Sequence, residues 1–308
     1  MIMRYEHLSQ HPTVFKAVTG LSVKEFDKLT EDVLPKYAEA EETRLSRPDR
    51  KRAIGAGHPF TLKARDQILL TVVWLRVYPV HEVLGYLFGV SDSAVSRIIR
   101  RVVPALEQAG RDSMRMPDPG RKRRKHLDDL LEETPELAVV IDSFEQKVQR
   151  PPDNDEQKRY YSGKKKMHTL KSQVTVDEET GLIADVSDSV PGPTADINLL
   201  EQSGLLTRLP EGVGGIGDLG YVGIHKLHPA GLGACPRRKP RGNPRPQEDV
   251  AYNTAFSRRR IIVENTIGRM RRYQSLTQPD RNHRQLHAER VVAIAGLVNR
   301  QMTHRLPC

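Results

Sequence analysis

The sequence predicts a two-part chain, an all-α amino-terminal part followed by an α/β part built on a buried central strand. Three observations predict it. Apolar residues recur at helical spacing as far as Val103, two of those stretches are joined by a glycine-bearing break with helix-turn-helix spacing, and after Pro135 the run 137–141 is continuously apolar.

At 308 residues, with 37% hydrophobic residues and 22 glycines, the chain can bury a proper core, as two ordinary domains or as one large domain with a smaller appendage. Lys plus Arg number 49 against 39 Asp plus Glu, giving a net charge of +10 and a pI near 9.6, which favours an anionic partner such as nucleic acid. Cys235 and Cys308 form no CxxC and no Cys/His cluster, which argues against a disulfide framework or structural zinc site and fits a reducing cytoplasm. No apolar run approaches the length of about 20 residues that a membrane span needs, and residues 1–10 lack the apolar core of a signal peptide. The expected location is cytoplasmic and nucleoid-associated, with no membrane partner.

Taken in order, residues 21–34 read as a helix with Ser22 as its cap, ended by Pro35. Residues 38–59 then read as a polar connection with Gly55 and Gly57 near its end. Residues 61–78 resume helical spacing through Ile68, Leu69, Val72, Val73 and Trp74, and Pro79 ends them. In the helix-turn-helix stretch the first helix ends at Phe88, Gly89 supplies the turn, Val90 plugs the angle and Ser91 or Asp92 caps the second helix. Val95, Ile98, Ile99 and Val102 then face inward, leaving Ser93, Ser96, Arg97 and Arg100 outward, small polar and cationic groups suited to a DNA groove and its phosphates. These helices form a DNA-binding domain over residues 1–110, and a linker at 111–135 carries the basic cluster Arg121, Lys122, Arg123, Arg124 and Lys125.

The third part, residues 136–308, opens with the strand 137–141, which ends in Asp142; residues 144–149 read as a neighbouring strand. A turn with Lys164, Lys165 and Lys166 leads to a strand at 168–176, and a hairpin turn at 177–181 leads to another at 182–186, so three antiparallel strands are expected. A short helix spans 196–206, and a glycine-weakened strand at 213–217 delivers Asp218. Residues 235–246 form an exposed loop with five basic residues, and an amphipathic helix after Pro279 closes the chain.

The window 258–273 places one carboxylate, Glu264, in a cationic segment. On a helix, Arg260, Glu264 and Arg271 fall within roughly 40° of one another, and Ile261, Ile267 and Met270 anchor it. Cleaving a phosphodiester means attacking an anion with a weak nucleophile and expelling an alkoxide. Two divalent ions solve both problems, and hard ions need carboxylate oxygens. Asp142 and Asp218 on strand ends, with Glu264 on a helix covering the sheet, supply them. Asp196 has a sufficient structural role as a helix-start residue that caps amides.

Ile141-Asp142, the run 161–169, Pro191-Gly192-Pro193-Thr194-Ala195-Asp196, Gly217-Asp218-Leu219-Gly220-Tyr221 and Arg260-Ile261-Ile262-Val263-Glu264 follow one another as in bacterial insertion-sequence transposases of the DDE superfamily, which the chain resembles from end to end, especially the Harbinger-like branch. The resemblance implies a ribonuclease H-like catalytic domain with Asp142, Asp218 and Glu264 as its acidic triad and metal ligands. It implies Mg²⁺, replaceable by Mn²⁺, and double-stranded DNA as partner, both as terminal inverted repeats and as target. Cleavage and strand transfer in a homodimer or higher multimer follow from it. Arg260 and Arg271 match the family's basic positions, the second usually lysine; Ser257 replaces a frequent tyrosine, and Ser143-Phe144 replaces Gly-Thr. Lys164, Lys165, Lys166, Arg260 and Arg271 join the helix-turn-helix residues as DNA contacts. The rival readings are a transposase-derived DNA-binding regulator and a stand-alone nuclease on the same scaffold.

Overall fold

Ser22 starts a helix because its hydroxyl accepts the Glu25 N–H at 3.2 Å while the Glu25 carboxylate accepts the Ser22 N–H at 2.6 Å, a reciprocal capping box. The computed structural model describes residues 3–46, 53, 60–120 and 134–303. They fall into two compact units: the first draws on Met1–Ser113, Arg271–Gln278 and Glu289–Gln301, the second on Met114–Met270, Pro279–Ala288 and Met302–Cys308. The basic cluster at 121–125, Gly55, Gly57 and Cys308 lie outside the described residues.

In the first unit, α1 (Tyr5–Leu8), α2 (Pro12–Thr19), α3 (Val23–Leu45), α4 (Ala64–Val77), α5 (His81–Phe88) and α6 (Asp92–Asp112) form a helical bundle. The expected stop at Pro35 is not there; α3 runs through it. A proline costs the helix one N–H bond, and here the turns on either side are held by core packing: Val33 and Tyr37 are buried, and the Tyr37 hydroxyl donates to Gln67 Oε1 on α4 at 2.9 Å. The helix-turn-helix forms as read, with α5 ending at Phe88, Gly89 left-handed at φ +64° and the Ser91 hydroxyl accepting the Ala94 N–H. Val95, Ile98, Ile99 and Val102 are buried.

The second unit contains β1 (Leu137–Lys147), α7 (Asn154–Tyr160), β2 (Tyr161–Ser162), β3 (Met167–Asp177), β4 (Ile183–Val186), β5 (Val190–Pro191), α8 (Asp196–Ser203), α9 (Leu205–Arg208), β6 (Val213–Ile216), α10 (Ile224–Leu227), β7 (Gly233–Ala234) and α11 (Gln247–Met270). The sheet order is β2-β3-β1-β6-β7, with β4 and β5 also on β3. β1 pairs antiparallel with β3 from Val139↔Asp177 to Lys147↔Thr169, and parallel with β6 only from Leu137↔Val213 to Val140↔Ile216. This mixed sheet flanked by helices is the expected ribonuclease H-like arrangement.

Two expectations change in the second unit, one of a strand and one of a helix. Residues 144–149 supply the continuation of β1 and no separate neighbour, because the ladder to β3 runs unbroken past Asp142; that residue lies mid-strand, just beyond the last pair with β6. The helix expected over 196–206 is broken by Gly204 at φ +61°, which separates α8 from α9. On α11 the buried face is Tyr252, Ala255, Phe256, Arg259, Val263, Thr266, Ile267 and Met270, at three- and four-residue spacing. Ile261 falls off that face and is 51% exposed, so it is no anchor. Arg271 lies past the helix end, where its carbonyl accepts the Thr277 hydroxyl at 2.6 Å, so it does not continue the Arg260 and Glu264 stripe.

The last helix, α12 (His287–Thr303), brings Gly296 against Gly110 of α6, both in the first unit; a Cβ on Gly296 would lie 2.4 Å from the Gly110 Cα. Backbone cannot yield as a side-chain tip can. Gly296→Val is expected to cost about 1–3 kcal/mol, the usual range for overpacking, read as a lower midpoint in urea; an unchanged midpoint would show that the helices can separate freely here.

Candidate active site

Because β1 and β6 run parallel only to Val140 and Ile216, the two chains diverge just beyond that point, which is where an α/β sheet opens a crevice. Asp142 lies on β1 two residues past the last pair, and Asp218 follows β6 by two residues. The Ser143 N–H donates to Asp142 Oδ1 at 2.8 Å, and the Gly220 N–H donates to Asp218 Oδ1 at 2.8 Å. Each carboxylate is thus oriented by the backbone that follows it, the strand β1 for Asp142 and a short turn for Asp218. Gly217 is tightly seated, since a Cβ there would meet the Tyr221 ring at 2.6 Å.

Glu264 comes from α11, four residues after Arg260. Arg260 Nη2 lies 3.5 Å from Asp142 Oδ2 and 3.7 Å from Glu264 Oε1, so one guanidinium stands against the acids of strand and helix alike. The Arg260 Nε is buried without an acceptor. Burial pushes the Asp142 carboxyl up to about 6; the Ser143 N–H and Arg260 oppose that rise, while the charges of Asp218 and Glu264 add to it. Asp218 and Glu264 therefore both act on Asp142. Among the described residues no group of three His, Cys, Asp or Glu side chains is drawn together tightly enough to hold a metal ion. The chemistry of the donors nevertheless suits a hard cation: a buried carboxylate, incompletely compensated by one backbone N–H and a 3.5 Å guanidinium, gains from further positive charge.

Asp196 departs from its expected role. It opens α8, but no side-chain bond caps that helix. Its Oδ1 accepts from Ser143 Oγ at 2.7 Å and from Lys171 Nζ at 2.8 Å, because the carboxylate turns across the sheet toward β1 and β3. Tyr221, fully buried, has a hydroxyl without a hydrogen-bond partner; burial and the charges of Asp196, Asp142 and Asp218 raise it well above its ordinary value. Lys171 escaped the sequence reading, and Ser143 and Tyr221 stood in it only as motif residues without a role. Only the residues on either side of the β1–β3 register could have suggested Lys171, and that register is a product of folding.

In the first unit Ser93, Arg97 and Arg100 are exposed and Ser96 half-buried along α6. The Arg97 Nε donates to its own Ser93 carbonyl at 3.1 Å. Arg97 and Arg100 share with Arg44, Arg101 and Phe60 the lining of a cavity of about 670 Å³, where the Arg101 guanidinium sits 4.6 Å from the Phe60 ring centre. Arg101 and Arg44 both reach Glu41, at 3.6 and 2.8 Å. Lys164, Lys165 and Lys166 form an exposed turn, with Lys166 left-handed at φ +55°, and Arg271 is exposed in the first unit. No helix among the described residues is long and apolar enough to cross a membrane.

Residues 141–299, more than half of the chain, match the family described as DDE superfamily endonuclease, and residues 60–112 match the helix-turn-helix of DDE superfamily endonuclease. The chain is 29% identical over 288 residues, 94% of each chain, to a protein of Microchaete diplosiphon named as a transposase for insertion sequence element IS702. It is 24% identical over 269 residues, 87% of each chain, to one of Streptomyces albus G named as a transposase for insertion sequence element IS112. No solved structure matches it significantly.

Proposed function

Since the chain belongs to the DDE superfamily endonucleases and carries their helix-turn-helix, we propose that it is an insertion-sequence transposase that binds its element's terminal inverted repeats and catalyses DNA strand cleavage and strand transfer. The observation that carries the catalytic reading is the convergence at Arg260, whose one guanidinium lies 3.5 Å from Asp142 and 3.7 Å from Glu264 while Asp218 acts on Asp142 from just past β6. Asp142, Asp218 and Glu264 are the groups that would hold Mg²⁺, or Mn²⁺ in its place. A divalent ion there would activate the attacking oxygen and stabilise the leaving one.

The protein's own groups orient and compensate. Backbone N–H groups of Ser143 and Gly220 fix one oxygen of each aspartate, leaving the second directed elsewhere. Arg260 supplies positive charge beside the acids, where it can meet a scissile phosphate. Exposed lysines at 164–166 suit the DNA backbone, as does Arg271. Assembly as a dimer or higher multimer belongs to the same reading, since two element ends must be joined. The test is Mg²⁺-dependent nicking of a plasmid carrying the DNA that flanks the gene. Nicking of unrelated plasmids at equal rate would favour a stand-alone nuclease, and end binding without nicking would favour a regulator.

End binding itself yields a prediction. Arg97→Ala and Arg100→Ala are each expected to weaken binding and to flatten the slope of log K on log salt by about 1, the signature of one lost phosphate contact. Mobility shifts across a salt series check it. If neither affinity nor slope moves, α6 does not read the DNA.

A further inference from the structure

We infer that Asp196, paired with Lys171, is a positioning residue that sets the spacing between β1 at Asp142 and the turn carrying Asp218. The inference rests on the proposed catalytic reading.

One carboxylate touches both segments. Its Oδ1 accepts the Ser143 hydroxyl at 2.7 Å, and Ser143 is the residue whose N–H holds Asp142 at 2.8 Å. Its Oδ2 lies against Gly220, so close that a Cβ there would be 2.4 Å away, and Gly220 is the residue whose N–H holds Asp218 at 2.8 Å. Asp196 therefore braces β1 against the turn after β6, the two segments that aim the two catalytic aspartates.

Lys171 fixes the brace. Its ammonium donates to Asp196 at 2.8 Å and to the Thr194 carbonyl at 2.6 Å, and the side chains of the pair are only 9% and 19% exposed. A buried ion pair contributes little net stability compared with an apolar pair of the same shape, and its attested use is to impose one arrangement on its surroundings. Helix capping does not account for the Asp196 carboxylate, whose hydrogen bonds go to Ser143 and Lys171. Both hydrogen bonds to Asp196 fall on Oδ1 while Oδ2 packs against Gly220, an arrangement through which Asp196 acts on Ser143 and Gly220.

The experiment compares full-length wild type, Asp196→Asn, Ser143→Ala, their double variant and Asp142→Asn. Four readouts are taken: thermal midpoint, DNA affinity, Mn²⁺ binding by electron paramagnetic resonance, and single-turnover nicking at saturating DNA. Groups that orient a metal ligand cost about 10–100-fold in metal affinity or rate when removed. Asp196→Asn is expected to fall in that range for nicking, to weaken Mn²⁺ binding and to leave DNA affinity unchanged. Ser143→Ala, a small change that should fold normally, is expected to lose less in the same readouts, and the double variant to lose less than the product of the two. If Asp196→Asn lowers only the thermal midpoint, the pair is structural and the inference is overturned. If it abolishes Mn²⁺ binding as Asp142→Asn does, Asp196 is a ligand and the inference is equally overturned. Should Asp142→Asn leave Mn²⁺ binding intact, the catalytic reading itself fails, and the inference with it.

Discussion

Asp142→Asn is expected to lower Mg²⁺-dependent nicking more than about 100-fold, beyond what loss of an orienting group costs, while binding of the element ends persists. Glu264→Ala should behave alike in cleavage. The Asp142 variant should also be the more stable protein at neutral pH. Burial holds this carboxyl at about 6 against an ordinary 3.8, so between those values the folded chain binds more protons than the unfolded one. Stability therefore falls as pH rises through that window and stays reduced above it. The side chain is 21% exposed, and the reduction is on the order of 2–3 kcal/mol. Asparagine carries no such cost. Thermal melts in EDTA should place Asp142→Asn above wild type at about pH 7.5 and level with it near pH 4. Retained nicking would remove Asp142 from the acid set, and equal midpoints at both pH values would remove the burial argument.

A group that destabilises the fold in its ionised form persists where function requires it. That is also why Asp142 was legible in the sequence: an acid in a continuously apolar strand conflicts with its surroundings, and such conflicts mark sites. Asp218, after a strand of glycines, stood out for the same reason. Asp196 did not, because an acid opening a helix has an adequate local explanation, and only the tertiary position of Ser143 and Lys171 shows what else its carboxylate holds. Helix boundaries behaved similarly. Gly89 and Ser91 mark their turn by intrinsic backbone and capping preference, whereas Pro35 stays within α3 because the packing of Val33 and Tyr37 outweighs one lost N–H bond. The long β1 was misread as two strands because a single acid at 142 looks like an end when the ladder to β3 cannot be seen.

The triplet Arg258-Arg259-Arg260 hides the clearest case, and it gives the second large effect. In sequence the three arginines are one cationic run, yet Arg259 is a buried strut. Its Nε and Nη2 donate to the two Glu178 carboxylate oxygens, the second at 2.6 Å, Nη1 donates to Thr134 Oγ1 at 2.8 Å and Nη2 also donates to the Pro135 carbonyl at 3.1 Å. These bonds tie α11 to the entry of β1 and the exit of β3, the two strands at the centre of the sheet. The Arg259 side chain is 5% exposed and that of Glu178 22%. Glu178→Ala leaves a charged guanidinium buried with only neutral acceptors, which costs about 3–5 kcal/mol. Arg259→Met, which removes charge and keeps bulk, should cost less, because no ion is stranded. Urea denaturation of both variants makes the comparison. Glu264 rides on the same helix, five residues from the strut, so nicking by Glu178→Ala should fall even at temperatures where the protein remains folded. Equal costs for the two variants would mean that the pair acts through packing alone, and a Glu178→Ala cost below about 1 kcal/mol, the range of exposed pairs, would mean that water reaches the guanidinium.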